Sequence, residues 1–125
     1  MKTVQAMLAD AEAAVPRIAV DAAKAMLGRS DVLFVDVREP GEVAASGKIV
    51  GALAVPRGLL EFRADPSSPL HDASFDRAKT VITYCASGGR AALAGKTLKD
   101  MGYANVHNLG GFKGWLDAGG EIDKG

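Results

Sequence analysis

Residues Val32-Leu33-Phe34-Val35-Asp36-Val37 form a near-continuous apolar run, and Thr80-Val81-Ile82-Thr83-Tyr84 forms a second, the clearest central strand of the chain. A strand apolar at consecutive positions has no face left for water, so it must be covered on both sides, as in parallel sheets flanked by helices. Helical patterns alternate with these runs. Thr3 to Val15 places Val4, Met7, Leu8, Ala11 and Val15 at helical spacing until Pro16 stops it, which predicts a covering helix within residues 1–16. Asp21 is placed to cap a second helix ending at Leu27 before Gly28, and Pro40 to Ser46 suits a short helix that Gly47 breaks. A longer helix runs from Gly89 or Arg90 to Met101, with Gly102 as its stop, and Phe112 to Ala118 makes a closing one. Ala52 to Val55 and Val106 to Leu109 complete the strands, with Gly110-Gly111 expected to turn. From Arg57 to Lys79 only Gly58 to Phe62 reads as helical, so this is a long surface connection. The alternation predicts an α/β sandwich around a mostly parallel sheet, and 125 residues suit a single domain, 1–125.

In such a sheet the functional crevice lies beyond the carboxyl ends of the strands. Asp36-Val37-Arg38, Pro56-Arg57, Cys85 and Gly110-Gly111 all follow strand ends and should meet at one rim. Cys85, the only cysteine, stands between a strand and a helix, where main-chain N–H groups without intrahelical acceptors and the positive end of a helix dipole favour negative charge. Arg90 adds a cation at that helix start, where it opposes the dipole unless an anion is present. Gly88 and Gly89 let the chain curl closely around a ligand. Residues 85–90 therefore read as an anion-handling cysteine loop. Asp36 and Arg38 either brace that loop or touch substrate, and Arg57 is either a second anion contact or ordinary surface. His71 and His107 have no partner at metal or triad spacing, and Phe112, Trp115 and the four methionines are expected in the core.

Fifteen basic residues balance fifteen acidic ones, which argues against a general binder of nucleic acid. No secretory pattern opens the chain, because Asp10 and Glu12 interrupt it, and no apolar run is long enough to span a bilayer. One cysteine forms no internal disulfide, so the expected compartment is the reducing cytoplasm.

Four segments together resemble the rhodanese-like sulfurtransferases in their single-domain bacterial form. They are Asp36-Val37-Arg38-Glu39-Pro40 with Glu42, Gly47-Lys48-Ile49-Val50-Gly51-Ala52 with Pro56, Cys85-Ala86-Ser87-Gly88-Gly89-Arg90-Ala91, and Gly110-Gly111-Phe112 with Trp115. Lys48 stands where the second signature usually has His, and Ala54 where it usually has Asn; neither is a catalytic position in the family. The resemblance implies a three-layer sandwich with a five-stranded sheet, and Cys85 as the acceptor of a sulfane sulfur. A donor such as thiosulfate is a small dianion whose outer sulfur suits attack by a thiolate, and the persulfide formed would pass its sulfur to cyanide or a thiol, including a protein thiol. On this reading Cys85 and Arg90 are catalytic, Ala86, Ser87, Gly88 and Gly89 form the substrate-binding loop, and Asp36, Arg38 and Arg57 support it. Neither metal nor organic cofactor is implied, and the expected state is a monomer or weak homodimer. One rival is a sulfur-carrier or sensor module served by a protein partner. Another is a cysteine phosphatase or arsenate reductase, whose loop holds five residues between Cys and Arg where this chain has four.

Overall fold

The computed structural model describes residues 1–124. Four strands form one parallel sheet: β1 (Val32–Asp36), β3 (Leu53–Ala54), β4 (Thr80–Cys85) and β5 (Asn105–Gly111), in the spatial order β3-β1-β4-β5. The expected fifth strand is present only as a vestige beside β5. There Arg17 makes one parallel bridge to Asn108, through Ile18 N–H to the Asn108 carbonyl at 3.1 Å and Asn108 N–H to the Pro16 carbonyl at 3.0 Å. Pro16 has no N–H to extend the ladder on one side, and Ala19 already caps helix α2 (Val20–Ala25) on the other. Asp21 lies in the first turn of α2 and is not its cap. The segment after α3 (Pro40–Ser46) also leaves the main sheet: β2 (Lys48–Ile49) pairs antiparallel with β6 (Ile122–Asp123).

The continuous apolar strands are buried on both faces. Leu33, Val35, Val81 and Cys85 pack into one core beneath α1 (Val4–Ala14), α4 (Leu60–Ala64) and α5 (Gly89–Asp100), together with Leu60, Ala94 and Leu98. Phe34, Ile82 and Tyr84 point to the other core, closed by α2 and α6 (Phe112–Asp117) through Ala23, Phe112 and Trp115. Strand periodicity thus sends Cys85 to the α5 side and Tyr84 to the opposite side.

The covering helix is held more narrowly than its apolar spacing predicts. Only Ala11 of α1 is buried, and Val4 and Met7 are exposed. Just past the helix end the chain packs tightly on α5, where a Cβ added at Gly95 would lie 2.9 Å from a Val15 methyl. The methionines do not fill the core: Met1 and Met7 are exposed, and Met26 and Met101 are half-buried where they cap the ends of α2 and α5. Gly110-Gly111 is not a turn. An irregularity in the β4–β5 register after the Thr83–Asn108 pair lets Gly110 face Tyr84 and Gly111 face Cys85, so both remain in the strand.

Candidate active site

The carboxyl ends of the strands meet at one rim, as topology requires. Val37 N–H reaches the Tyr84 carbonyl at 3.1 Å, Val55 N–H the Asp36 carbonyl at 2.9 Å and Arg57 N–H the Val37 carbonyl at 3.2 Å, so backbone pairing continues past the strands. Cys85 ends β4 with only 1% of its surface exposed. The chain then folds back over it: Ala86 and Ser87 are exposed, Gly88 is buried, and the Gly88 N–H donates to Cys85 Sγ at 3.0 Å. This bend requires a left-handed residue, and Gly88, at φ +107°, caps α5. The loop thus leads directly into the first turn of α5, whose first amides have no acceptor inside the helix.

Two residues without a role assigned from sequence hold this loop. Asn108 is buried, and its side chain donates to the Gly88 carbonyl at 3.2 Å and accepts from Gly110 N–H at 2.8 Å. Thr83, on the same face of β4 as Cys85, ties its hydroxyl to the Ala91 carbonyl at 3.0 Å and so fixes the first turn of α5 to the strand. Gly111 completes the seat: a Cβ there would lie 2.5 Å from the Ala86 carbonyl oxygen.

Arg90 extends from the first turn of α5 to Glu42 on α3, donating from Nη1 to Oε2 at 2.7 Å and from Nη2 to Oε1 at 2.9 Å. Glu42 raises the Arg90 guanidinium above its usual range, and the Cys85 sulfur adds to the effect. In return Arg90, followed by the Glu39 N–H, holds the Glu42 carboxyl down at about 2. Glu42 is the third acidic or basic group of the site, and sequence reasoning assigned it no function. It stood in the first signature without a role, and its spacing to Glu39 is used as a capping box at the start of α3.

Asp36 and Arg38 form a buried pair with 0% and 4% of their side chains exposed. Arg38 donates from Nη2 to Asp36 at 2.7 Å and from Nε at 3.0 Å, and it also reaches Ser46 Oγ and the Gly47 carbonyl, both at 2.7 Å. Its guanidinium lies 4.4 Å from the centre of the Phe112 ring. Beside it the Tyr84 hydroxyl accepts the Ile49 N–H at 3.0 Å, and burial, then the Asp36 charge, pushes that phenol well above its usual range. The network clamps the end of α3, the helix that carries Glu42. Arg57 goes elsewhere: it reaches Glu61 and Thr97, each at 2.9 Å, and faces a groove along α5. Thr97 lies about 10 Å down the helix axis from Arg90, so the side chain of Arg57 is not brought to the loop.

The model of the Rhodanese-like domain family matches residues 19–118 of the chain. The chain belongs to the rhodanese-like family. This rhodanese-like protein is 37% identical over 90 residues to a sulfurtransferase of Allochromatium vinosum, a match covering 71% of this chain and 76% of that one. It is 34% identical over 110 residues to the thiosulfate:glutathione sulfurtransferase of Saccharomyces cerevisiae, covering 78% and 76% of the two chains. A Rhodopseudomonas palustris protein of unknown function, described as a possible tyrosine phosphatase, superposes with a TM-score of 0.90 at 43% identity over 98% of this chain and 96% of its own. The rhodanese-like relatives share the α/β architecture, and here it is built on four parallel strands.

Proposed function

We propose that this protein is a sulfurtransferase that moves a sulfane sulfur from a small anionic donor such as thiosulfate to cyanide or a thiol, through a persulfide on Cys85. One observation carries the reading: the Cys85 sulfur accepts the Gly88 N–H at 3.0 Å, where the loop folds back over it at the start of α5. In the first step the Cys85 thiolate attacks the outer sulfur of thiosulfate. A bond forms from Sγ to that sulfur, the bond between the two donor sulfurs breaks, and sulfite leaves with its electron pair. The loop amides meet the charge on the thiolate and then on the persulfide, while Arg90, oriented by Glu42, faces the charge shifting toward the sulfite. In the second step cyanide attacks the outer sulfur and leaves as thiocyanate, returning the electron pair to Cys85; a thiolate acceptor leaves as a persulfide instead. No metal or organic cofactor takes part in either step. A free thiol on which the transfer depends suits the reducing cytoplasm.

A phosphoryl group fits less well. Four residues separate Cys85 from Arg90, which closes the loop more tightly than the five-residue cradle that holds a phosphate ester. The deciding experiment is the intact mass of the purified protein before thiosulfate, after it, and after cyanide. The protein should gain one sulfur and lose it to cyanide, and Cys85→Ser should gain none with its fold unchanged. Sulfur uptake by the Ser variant would remove Cys85 from the scheme. Uptake only from a persulfidated protein, with none from thiosulfate, would leave a sulfur carrier in place of a thiosulfate enzyme.

A further inference from the structure

One cation outside the loop rests directly against it. Arg17 makes the single bridge to Asn108, and Asn108 is the residue whose side chain holds Gly88 and Gly110. The backbone of residue 17 is thereby fixed to the same point that fixes the loop. The guanidinium lies across Gly110: a Cβ added there would stand 2.3 Å from Nη2, and one added at Gly88 would stand 3.8 Å from Nη1. Gly110 has φ +97°, so its backbone as well as its missing side chain makes room for the arginine. Arg38, Arg57 and Arg90 each hold a carboxylate. Arg17 is exposed, and among the described residues its guanidinium has neither an ion pair nor a hydrogen bond.

The path from this guanidinium to the sulfur is short. It runs from Nη1 across Gly88 to the amide that donates to Sγ at 3.0 Å, so by standard bond lengths the two ends lie at most about 10 Å apart. The side chain is flexible and can close part of that distance. A donor whose sulfane sulfur meets Cys85 carries its sulfonate a few ångström beyond that sulfur, and a donor lying along Gly88 would bring it toward the rim on which Arg17 sits.

We propose that Arg17 binds the anionic end of the donor, remote from the transferred sulfur, and so selects donors bearing a full sulfonate. Its consequence for specificity rests on the sulfur-transfer reading, whereas the anion contact itself does not. Arg17 is then a specificity-determining residue, acting through a charge-assisted hydrogen bond that forms only when donor is bound.

The test measures thiosulfate binding by calorimetry to Cys85→Ser, which cannot turn over, and to the same protein carrying Arg17→Gln or Arg17→Lys. The Gln change should weaken binding about tenfold, the loss of one charge-assisted contact, and Lys should restore most of it. Equal affinity with Gln, or no measurable binding while Arg17 is present, overturns the proposal. A second arm compares sulfur uptake by Cys85 from thiosulfate and from benzenethiosulfonate, in which a phenyl ring replaces one anionic oxygen. Arg17→Gln should slow thiosulfate more than benzenethiosulfonate. Equal slowing would mean that Arg17 merely supports the loop, and would overturn the proposal too. If Cys85 takes sulfur from neither donor while the difference in affinity stands, the sulfur-transfer reading falls and the Arg17 contact survives.

Discussion

Two arginine–carboxylate pairs flank the rim, and they differ mainly in burial. Arg38 and Asp36 are 4% and 0% exposed, whereas Arg90 and Glu42 are each 36% exposed. Three side-chain hydrogen bonds of 2.7, 3.0 and 3.1 Å hold the first pair, and two of 2.7 and 2.9 Å hold the second. The buried arginine commits four of its five N–H donors to Asp36, Ser46 and Gly47 and lies against Phe112, so it is largely spent on the protein itself. The half-exposed arginine faces solvent, and the Cys85 sulfur contributes to its electrostatic surroundings. Similar chemistry thus gives a brace in one place and, on the proposed reading, an adjustable anion contact in the other, because burial decides which donors are already used.

The contrast is broken most severely from the buried side. Arg38→Ala leaves the Asp36 carboxylate inside the protein without its counter-ion, which should cost roughly 3–5 kcal/mol of stability. Denaturant unfolding measures this directly. A loss below about 1 kcal/mol would show that the buried pair behaves like a surface one, and the distinction between the two would fail.

The half-exposed pair should respond in the opposite sense. Arg90→Ala should change stability by no more than about 1 kcal/mol, yet lower kcat/KM for thiosulfate by about 10²-fold, the scale of losing one donor aimed at developing charge. Alkylation of Cys85 by a neutral reagent provides the control. If it slows as much as sulfur transfer does, Arg90 acts on the thiolate alone and not on the donor.

This pair also marks where local sequence stops being informative. Two-sided burial of β1 and β4 was legible because apolar residues at consecutive positions leave a strand no wet face, and α5 was legible from its glycine ends and apolar spacing. Cys85 at a strand end followed from the same alternation. The Glu42–Arg90 contact spans 48 residues and depends on how α3 is set against α5, which no periodicity records. Arg57 follows a strand end as Cys85 does, but its long side chain turns toward Glu61 and Thr97, since backbone topology places a residue without aiming its side chain. The two-residue strands β2 and β6 are too short for any period to show, and the expected fifth strand is reduced to one bridge at Arg17, beside a proline with no N–H to extend it. Asn108 and Arg17 escaped notice for a related reason: each matters through the glycines it touches, and those contacts exist only after β5 has been laid beside β4.

The smallest expected effect sharpens the comparison most, because it reads the half-exposed pair without removing the arginine. Glu42 titrates at about 2 in the folded protein against an ordinary value of 4.5, chiefly through its hydrogen bonds from Arg90 and then from the Glu39 N–H. A carboxyl whose folded value is depressed contributes stability that is fully present above its unfolded value and is lost as pH falls through the folded one. The advantage of the native protein over Glu42→Gln should therefore be constant from neutral pH down to about 4.5, shrink below that, and vanish near pH 2. Its size should be modest, since more than a third of each side chain is exposed and water screens the pair. Denaturant unfolding of both proteins across this range gives the curve, and carboxyl-carbon NMR gives the Glu42 midpoint independently. A midpoint near 4.5 would mean that Arg90 is not held by Glu42 in solution. The arginine would then be free to reach the donor unaided, and the orienting role of Glu42 would go with it.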